Sequence, residues 1–425
     1  MAVTYVAIDH YLKEGGVSGL VLPQTFVKSL KGGEGFRKFC ITRDDKNEPF
    51  SITKVYDMLK VNPFYKAASN KTSVYIFEKS KEMQYPLNEY YECFSDKQIL
   101  PSDDYEVALS KLRFVQQSAY PINDNTRSPW LTMLAEDHER LKSYRGKSEY
   151  SARKGIEPCG AKGVYLVNVN SKRGDKIQIE NIVERSRRED VIALGRHPGF
   201  VEPDLIFPML GGRNFEKWGI KDYLYMVVPH EIKGDSIYHG IKDNILKTKY
   251  SATYDWLYYF HDALLDSRIK SGKFFDPQKY PWYRLDNVGE YTFKPYKVLW
   301  KEQSQKLECC VVSSIDDEYV GNKTFVVDSK VLFVSFDTAE EAYYLCGVLN
   351  SADIEWIIRC YTINTNKGID IVENIRIPKY DSSNTNHVQI SNLSLKAHEA
   401  YVSKNTDEVL ALEKQINKIV PEIFQ

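Results

Sequence analysis

Gly15-Gly16 breaks a helical pattern and passes the chain into an apolar run, Val17 to Leu22, that stops at Pro23. Apolar spacing at Val3, Val6, Ala7 and Tyr11 predicts a helix over Val3 to Glu14, and a glycine pair ends such a helix because glycine turns left-handed without a Cβ penalty. A short apolar run between turn formers reads as a buried strand. GGEGFRKF, Gly32 to Phe39, predicts a glycine-rich lead-in to a basic helix, and Ile52 to Met58 and Ser73 to Lys79 predict two more strands. Helix, strand, helix and further strands in that order point to an α/β layered sheet.

A chain of 425 residues with 43% apolar content has material for two or three cores. No run approaches the roughly 20 apolar residues of a membrane span. Met1 to Tyr11 lacks the basic start and apolar centre of a signal peptide, so the cytoplasm is the expected location. Seven cysteines include the neighbours Cys309 and Cys310 but no Cys-x-x-Cys pair, and no histidine sits at ligand spacing. That argues against a disulfide framework and against structural zinc. A net charge of -1 is not that of a protein that coats nucleic acid without selectivity. Locally the balance differs: Lys142, Arg145, Lys147, Arg153 and Lys154 face Glu149 alone, interleaved with Tyr144 and Tyr150. Cations gathered on one surface bind phosphate whatever the rest of the molecule carries. An ordinary solvated face is the equal alternative.

Four segments are expected along the chain: 1–82, 83–150, 151–385 and 386–425. Residues 83–150 read as a connector, polar and tyrosine-rich, with a helical pattern near Glu106 to Gln117 and a second helix over Trp130 to Tyr144 capped by Ser128. From Gly155 onward, short strand-like runs recur at Val164 to Val169, Leu205 to Leu210, Tyr223 to Val228, Tyr296 to Trp300, Cys309 to Ser313 and Thr324 to Phe336. Helical patterns fall at Ala252 to Lys270, Ala339 to Leu349 and Asp353 to Tyr361. The last segment is helical, with an apolar stripe at Val402, Val409, Leu412, Ile416 and Ile419 that suits a core or oligomer contact.

Several of these stretches carry a family resemblance. GGVSGLVLPQTF, GEGFRKF and NPFYKAASNKTSVYIFEK (Asn62 to Lys79) are followed in order by ARKGIEPCGAKGVYLV (Ala152 to Val167), FPMLGGRNFEKWGI (Phe207 to Ile220), YTFKPYKVLWKE (Tyr291 to Glu302) and EEAYYLCGVLNS (Glu340 to Ser351). Together they make the chain resemble the C-terminal part of a type IIG restriction-modification adenine-specific DNA methyltransferase, including its TaqI-like target-recognition (specificity) domain. The resemblance implies a partial Rossmann-like methyltransferase sheet, then an α+β specificity domain, then a C-terminal helical segment. It implies duplex DNA as the partner and S-adenosylmethionine as the methyl donor of the complete enzyme. A donor site of that class needs a glycine-rich strand-to-helix turn near an acidic ribose contact. Residues ahead of Tyr11 read as a helix, so no donor is expected to bind this chain alone, and a missing N-terminal methyltransferase half or a separate catalytic subunit is expected to supply it. Asn62-Pro63-Phe64-Tyr65 has one proline too few for the catalytic loop and follows the GLVLP strand instead of preceding it, so no catalytic residue is assigned.

An enzyme that modifies a base amino group rotates the nucleotide out of the duplex and replaces its lost stacking. The resemblance places Phe64 at that face, with Tyr65 in reserve, and a plug at the edge of the core stands beside it at equal weight. For reading base edges, Arg213 pairs bidentately with guanine and Asn214 with adenine, beside Gly211 and Gly212 that let the backbone approach. A glycine turn whose Arg and Asn cap carbonyls is the competing reading. Arg153, Lys154, Lys162, Lys217, Lys297 and Lys301 are the expected phosphate contacts, against the commoner role of surface lysines.

Two other functions compete. Pro203-Asp204 with Glu231-Ile232-Lys233 fits a loose acidic dyad plus lysine of a magnesium nuclease, at a spacing that arises often by chance. A specificity subunit without chemistry of its own differs from a partial enzyme only in whether a partner exists. A half sheet with an unpaired edge invites association in either case.

Overall fold

In the stretch Thr72–Lys79, alternate residues are buried, so Ser73, Tyr75, Phe77 and Lys79 line one face while Val74, Ile76 and Glu78 line the other. That period of two is the signature of a strand packed on one side. The computed structural model describes residues 2–425 except 30–31, 44–45, 62–71, 124, 233, 235, 272–275, 277–278 and 362–366. The chain forms two units. One comprises Met1–Lys147, Trp356–Asn366 and Asn374–Arg376; the other comprises Ser148–Glu355, Lys367–Glu373 and Ile377–Gln425. Phe64 and Tyr65 lie outside the described residues.

The first unit runs α1 (Ala2–Tyr11), β1 (Val17–Pro23), α2 (Thr25–Lys28), β2 (Cys40–Arg43), β3 (Lys46–Asp57), β4 (Thr72–Lys79), β5 (Leu87–Ser95), α3 (Tyr105–Ser110), β6 (Leu112–Pro121), β7 (Trp130–Met133) and α4 (Asp137–Tyr144). The strands make one seven-stranded sheet in the order β1-β4-β3-β5-β6-β7, with β2 on β3. Among the described residues of this sheet, only β3 and β5 pair in parallel. Its core is aromatic: Phe26, Phe36, Phe39, Phe50, Tyr75, Phe77 and Trp130 interlock, many edge to face, an arrangement that adds to area burial. Among the described residues β1 pairs on one side only, with β4. Val17 and Val21 on that edge strand are 59% and 53% exposed, and Val3, Val6 and Tyr11 of α1 are exposed as well.

Several sequence expectations change here. Residues 83–150, read as a connector, contribute β5, β6 and β7 to the sheet. Trp130 to Tyr144 is a strand followed by a helix, because Trp130, Leu131, Thr132 and Met133 are all buried and pair with β6. Ser128 caps no helix there; its Oγ accepts from the Asn123 amide. The pattern near Glu106 stops at α3, whose N-cap Asp104 accepts from the Val107 amide. The basic helix of GGEGFRKF shrinks to a 3-10 turn at Phe36–Lys38. Gly33 is required there, since a Cβ would collide with the Phe26 carbonyl, and that close approach lets the buried Arg37 donate to Phe26 O and Arg127 O.

The second unit holds β8 (Arg153–Lys154), β9 (Leu166–Arg173), β10 (Lys176–Asn181), β11 (Pro198–Val201), β12 (Ile206–Leu210), β13 (Phe215–Glu216), β14 (Gly219–Ile220), β15 (Leu224–Val227), β16 (Tyr296–Lys301), β17 (Cys310–Val312), β18 (Ser314–Asp317), β19 (Gly321–Thr324), β20 (Val326–Val327) and β21 (Val331–Phe336). A six-stranded sheet, β11-β10-β9-β15-β12-β20, and a four-stranded sheet, β17-β16-β21-β8, carry most of it, with β13-β14 and β18-β19 as small hairpins. Val164 and Tyr165, expected in a strand, belong instead to a helical turn, Lys162–Tyr165, that precedes β9. Helices Ser251–Tyr258 and His261–Ser271 divide the helical pattern expected over Ala252 to Lys270. The C-terminal segment is two helices, Thr385–Val402 and Thr406–Ile419. Each opens on an asparagine, Asn384 or Asn405, whose side chain caps free amides of the first turn. The protein is thus mixed α/β with several sheets. No described helix is long and apolar enough to cross a membrane.

Candidate nucleic-acid interface

A wide concave surface of the second unit is a cleft of about 810 Å³ where the ends of β12, β15 and β16 meet the loops after β10 and β20. Its floor is apolar, with Leu166, Met209 and Leu224, and its rim is charged. The turn Gly211 to Asn214 leaves the end of β12 and is held by Asn214. That side chain accepts from the Gly211 amide at 2.8 Å and donates to Asp222 at 2.6 Å, while the Asn214 carbonyl accepts from the Lys221 amide. With Asn214 buried and both its polar atoms committed to the turn, Arg213 at the tip is exposed. Reading adenine with Asn214 would break both of those bonds.

Two arginines that line the same cleft, Arg185 and Arg187, were not among the expected contacts. They follow β10 in the loop GluArgSerArgArgGluAsp at 184–190. That loop is fixed by Asn181, whose buried amide donates to Gly163 O and Gly195 O and accepts from the His197 amide. Gly163 matters for space: a Cβ there would lie 2.6 Å from the Ser186 Cβ. The run of arginines was visible in the sequence; its place in the same cleft as Arg213 was not. Arg185, Arg187 and Arg213 are exposed, and among the described residues none of their side chains has a hydrogen bond or an ion pair.

The expected lysines stand differently. Lys162 holds Asp328, with 2.7 Å to one oxygen. Lys154 and Lys330 share Glu302, and Lys301 lies 3.2 Å from Glu308 and over the Phe215 ring. Gly155 brings Lys162 to Asp328, because the chain there runs against Val327 and Asp328 so closely that a Cβ would strike both carbonyls. Arg153 lies over the Tyr291 ring at 5.3 Å. Lys217 is elsewhere, 2.6 Å from Glu413 on the C-terminal helix. Lys297 is corrected: its side chain is fully buried on β16 and donates to Lys294 O and Thr324 Oγ1, so it offers nothing to a phosphate. Burial without a counter-ion pushes its ammonium down to about 7.

Polar groups in the first unit are arranged for the opposite purpose. Asp57, at the end of β3, accepts from Tyr90 OH at 2.8 Å and from the Leu59 amide at 3.1 Å, and Gln24 donates to Tyr90 and Ser73. Lys28 is buried beside them, donates to Thr132 Oγ1 at 2.9 Å, and is pulled below the usual lysine range by desolvation. The three described connections from strand to α-helix in this unit, at Gln24, 96–104 and 134–136, contain no glycine. Of the nuclease candidates, Asp204 lends its carbonyl to Lys323 and Lys233 lies outside the described residues. Among the described residues no three His, Cys, Asp or Glu side chains gather at metal-binding range.

No family model matches the sequence. A curated relative, the Type II methyltransferase M.NspV of Nostoc sp., is 27% identical over 188 residues, which is 44% of this chain and 36% of the relative. Among solved structures, the Type IIL restriction-modification enzyme MmeI in complex with DNA aligns with a TM-score of 0.51 at 10% identity, covering 100% of this chain and 48% of that one. The type IIG restriction endonuclease BpuSI aligns at a TM-score of 0.30, too low to bear on the fold. This chain therefore spans about half or less of the proteins it matches, and it shares its fold with part of a restriction-modification enzyme.

Proposed function

We propose that the chain is the DNA-reading portion of a site-specific adenine methyltransferase of a restriction-modification system. The second unit reads the duplex through the Arg185, Arg187 and Arg213 cleft, and the first unit is the C-terminal part of the methyltransferase sheet. The observation that carries this is the set of three exposed arginines with no carboxylate partner among the described residues, around a cleft whose lysines are otherwise neutralised. Unpaired cations on a surface are stabilised by phosphate oxygens or base edges, and Arg suits both through its planar fork. Asn214 positions the turn, and Arg213 reaches the guanine edge or phosphate. Arg153 and the paired lysines Lys154, Lys162 and Lys301 flank the same strands and add field more than contact.

The methyl donor and the catalytic loop come, in this reading, from a segment other than these 425 residues, either joined at the N-terminus or borne by a separate catalytic subunit. The edge of β1 that has no partner among the described residues, with exposed Val17 and Val21 next to exposed apolar residues of α1, supports that assembly, because such an edge is normally paired or covered. S-adenosylmethionine then belongs to the assembled enzyme. Phe64 or Tyr65 stacks on the extruded base, by resemblance alone. Selection from a pool of random duplexes by the isolated chain tests the reading role. Recovered duplexes should converge on one short motif containing adenine, and Arg213→Ala should blur one position of it. Binding without any convergent motif would refute sequence reading by this chain.

A further inference from the structure

A second concave surface in the same unit has a composition that the DNA cleft does not share. Helix Ser251–Tyr258 and helix His261–Ser271 meet the segment around Pro281 in a cleft of about 650 Å³, within the range of about 300–1,000 Å³ that holds small ligands. Trp282 stands at its centre with the rings of Tyr254, Tyr258 and His261 set edge to face around it at 6.2, 6.2 and 4.8 Å. Tyr258 is 54% exposed, an unusual position for a ring that packing could have covered. Lys242, Lys247 and Lys279 line the same cleft with Asp243, and Lys279 lies 3.6 Å from Asp276. Lys247 is held 2.7 Å from Asp243 and 4.8 Å from the Tyr254 ring, whereas Lys242 is exposed and has no ion pair among the described residues.

Ring faces beside Lys242, an ammonium group with no ion pair among the described residues, select a ligand that is planar, aromatic and anionic at once. An aromatic cage for a cation is ruled out by the lysines, and a purely apolar ligand leaves their charge unused. We propose that this cleft binds an unstacked nucleotide, its base against Tyr258 and Trp282 and its phosphate on Lys242 and Lys247. The site is separate from the arginine cleft and does not depend on the reading proposed for it. A free mononucleotide and a nucleotide in a single-stranded stretch of DNA present the same chemistry.

The test uses the full chain and three variants: Tyr258→Ala, the double variant Lys242→Ala/Lys247→Ala, and Arg213→Ala. Fluorescence anisotropy follows a blunt duplex and the same duplex with a single-stranded overhang, and dAMP is added as a competitor. The overhang should tighten binding to the wild type, and Tyr258→Ala should remove about tenfold of that affinity while leaving the blunt duplex unchanged. The double lysine variant should lose the overhang preference in the same way and flatten its salt dependence. Arg213→Ala should do the reverse, weakening the blunt duplex and keeping the advantage of the overhang. Competition by dAMP alone at millimolar level marks a mononucleotide site, and its failure beside intact overhang binding marks a strand site. An overhang that adds nothing to the wild type, with no competition by dAMP, overturns the proposal whatever Arg213→Ala does. A Tyr258→Ala variant that binds both duplexes like wild type overturns it as well.

Discussion

The two units use their polar side chains in opposite ways. Around Asp57 in the first unit, Gln24, Ser73, Tyr90 and Lys28 are buried and bonded within the core, so their worth lies in avoiding unpaired groups in a low-dielectric interior. Around Arg213 in the second, the side chains are exposed and three arginines answer to nothing within the described residues. Polar groups that satisfy each other in the core hold a fold, whereas exposed cations without a protein partner are hydrated and free to exchange that water for a ligand. Removing one of the first kind should cost stability; removing one of the second should cost binding.

The largest effect is expected at Asp57. Asp57→Ala leaves the Tyr90 hydroxyl and the Leu59 amide without their acceptor, at about 1–3 kcal/mol for each buried group. Urea unfolding should show a loss of roughly 3 kcal/mol, with DNA affinity per folded molecule unchanged. Unaltered stability would remove the buried half of the contrast.

Lys297 asks whether burial or the unit decides, since it is a buried cation in the second unit. Its folded-state value of about 7 lies below the roughly 10.4 of an unfolded chain, so the unfolded chain binds more protons between those limits. Stability of the wild type therefore rises as pH increases from about 7 to 10 and is level below that window. Lys297→Met abolishes the rise. Its stability relative to wild type should be most favourable near pH 7 and fall by a few kcal/mol towards pH 10, as read by denaturant midpoints across pH. Parallel profiles would show that the ammonium is not buried as described.

At the cleft, Arg213→Ala should cost about 1–3 kcal/mol of discrimination between the preferred duplex and a random one, with unfolding unchanged. Equal losses on both duplexes would make Arg213 a positional contact. The smallest effect is expected at Lys154, already paired with Glu302. Lys154→Ala should change affinity less than about fivefold, in line with surface ion pairs worth up to about 1 kcal/mol. A loss as large as that of Arg213→Ala would erase the distinction between paired and unpaired cations.

Much of this was legible in the chain. The glycine pair, the strand β1 and the alternation of Thr72–Lys79 follow from local rules, and the helix Ala339–Leu349 matches the expected span to the residue. What failed was decided by distant partners. Trp130 to Met133 became a strand because β6 was there to pair with it, a pairing no local window contains. The loop glycines and Arg213 pointed to the cleft, yet Lys297 looked the same as Lys301 in YTFKPYKVLWKE. On β16 the Lys297 side chain enters the core, while Lys301 at the strand's end reaches the cleft rim. Arg185 and Arg187 join Arg213 through the anchoring of Asn181 to Gly163, Gly195 and His197, which is a tertiary fact.

Whether the three arginines meet DNA is decided by the salt dependence of duplex affinity. Dissociation constants are measured from low to moderate salt for the wild type and for the combined Arg185→Ala/Arg187→Ala/Arg213→Ala variant. If all three neutralise phosphates, the slope of log affinity against log salt should become shallower by about 0.9 for each arginine removed, up to roughly 2.7 in all. If Arg213 engages a base edge instead, the change should be nearer about 1.8, with a loss of sequence preference beside it. A variant that folds like the wild type and keeps both its slope and its affinity would refute the arginine cleft as the DNA-binding surface and place that surface elsewhere on the molecule.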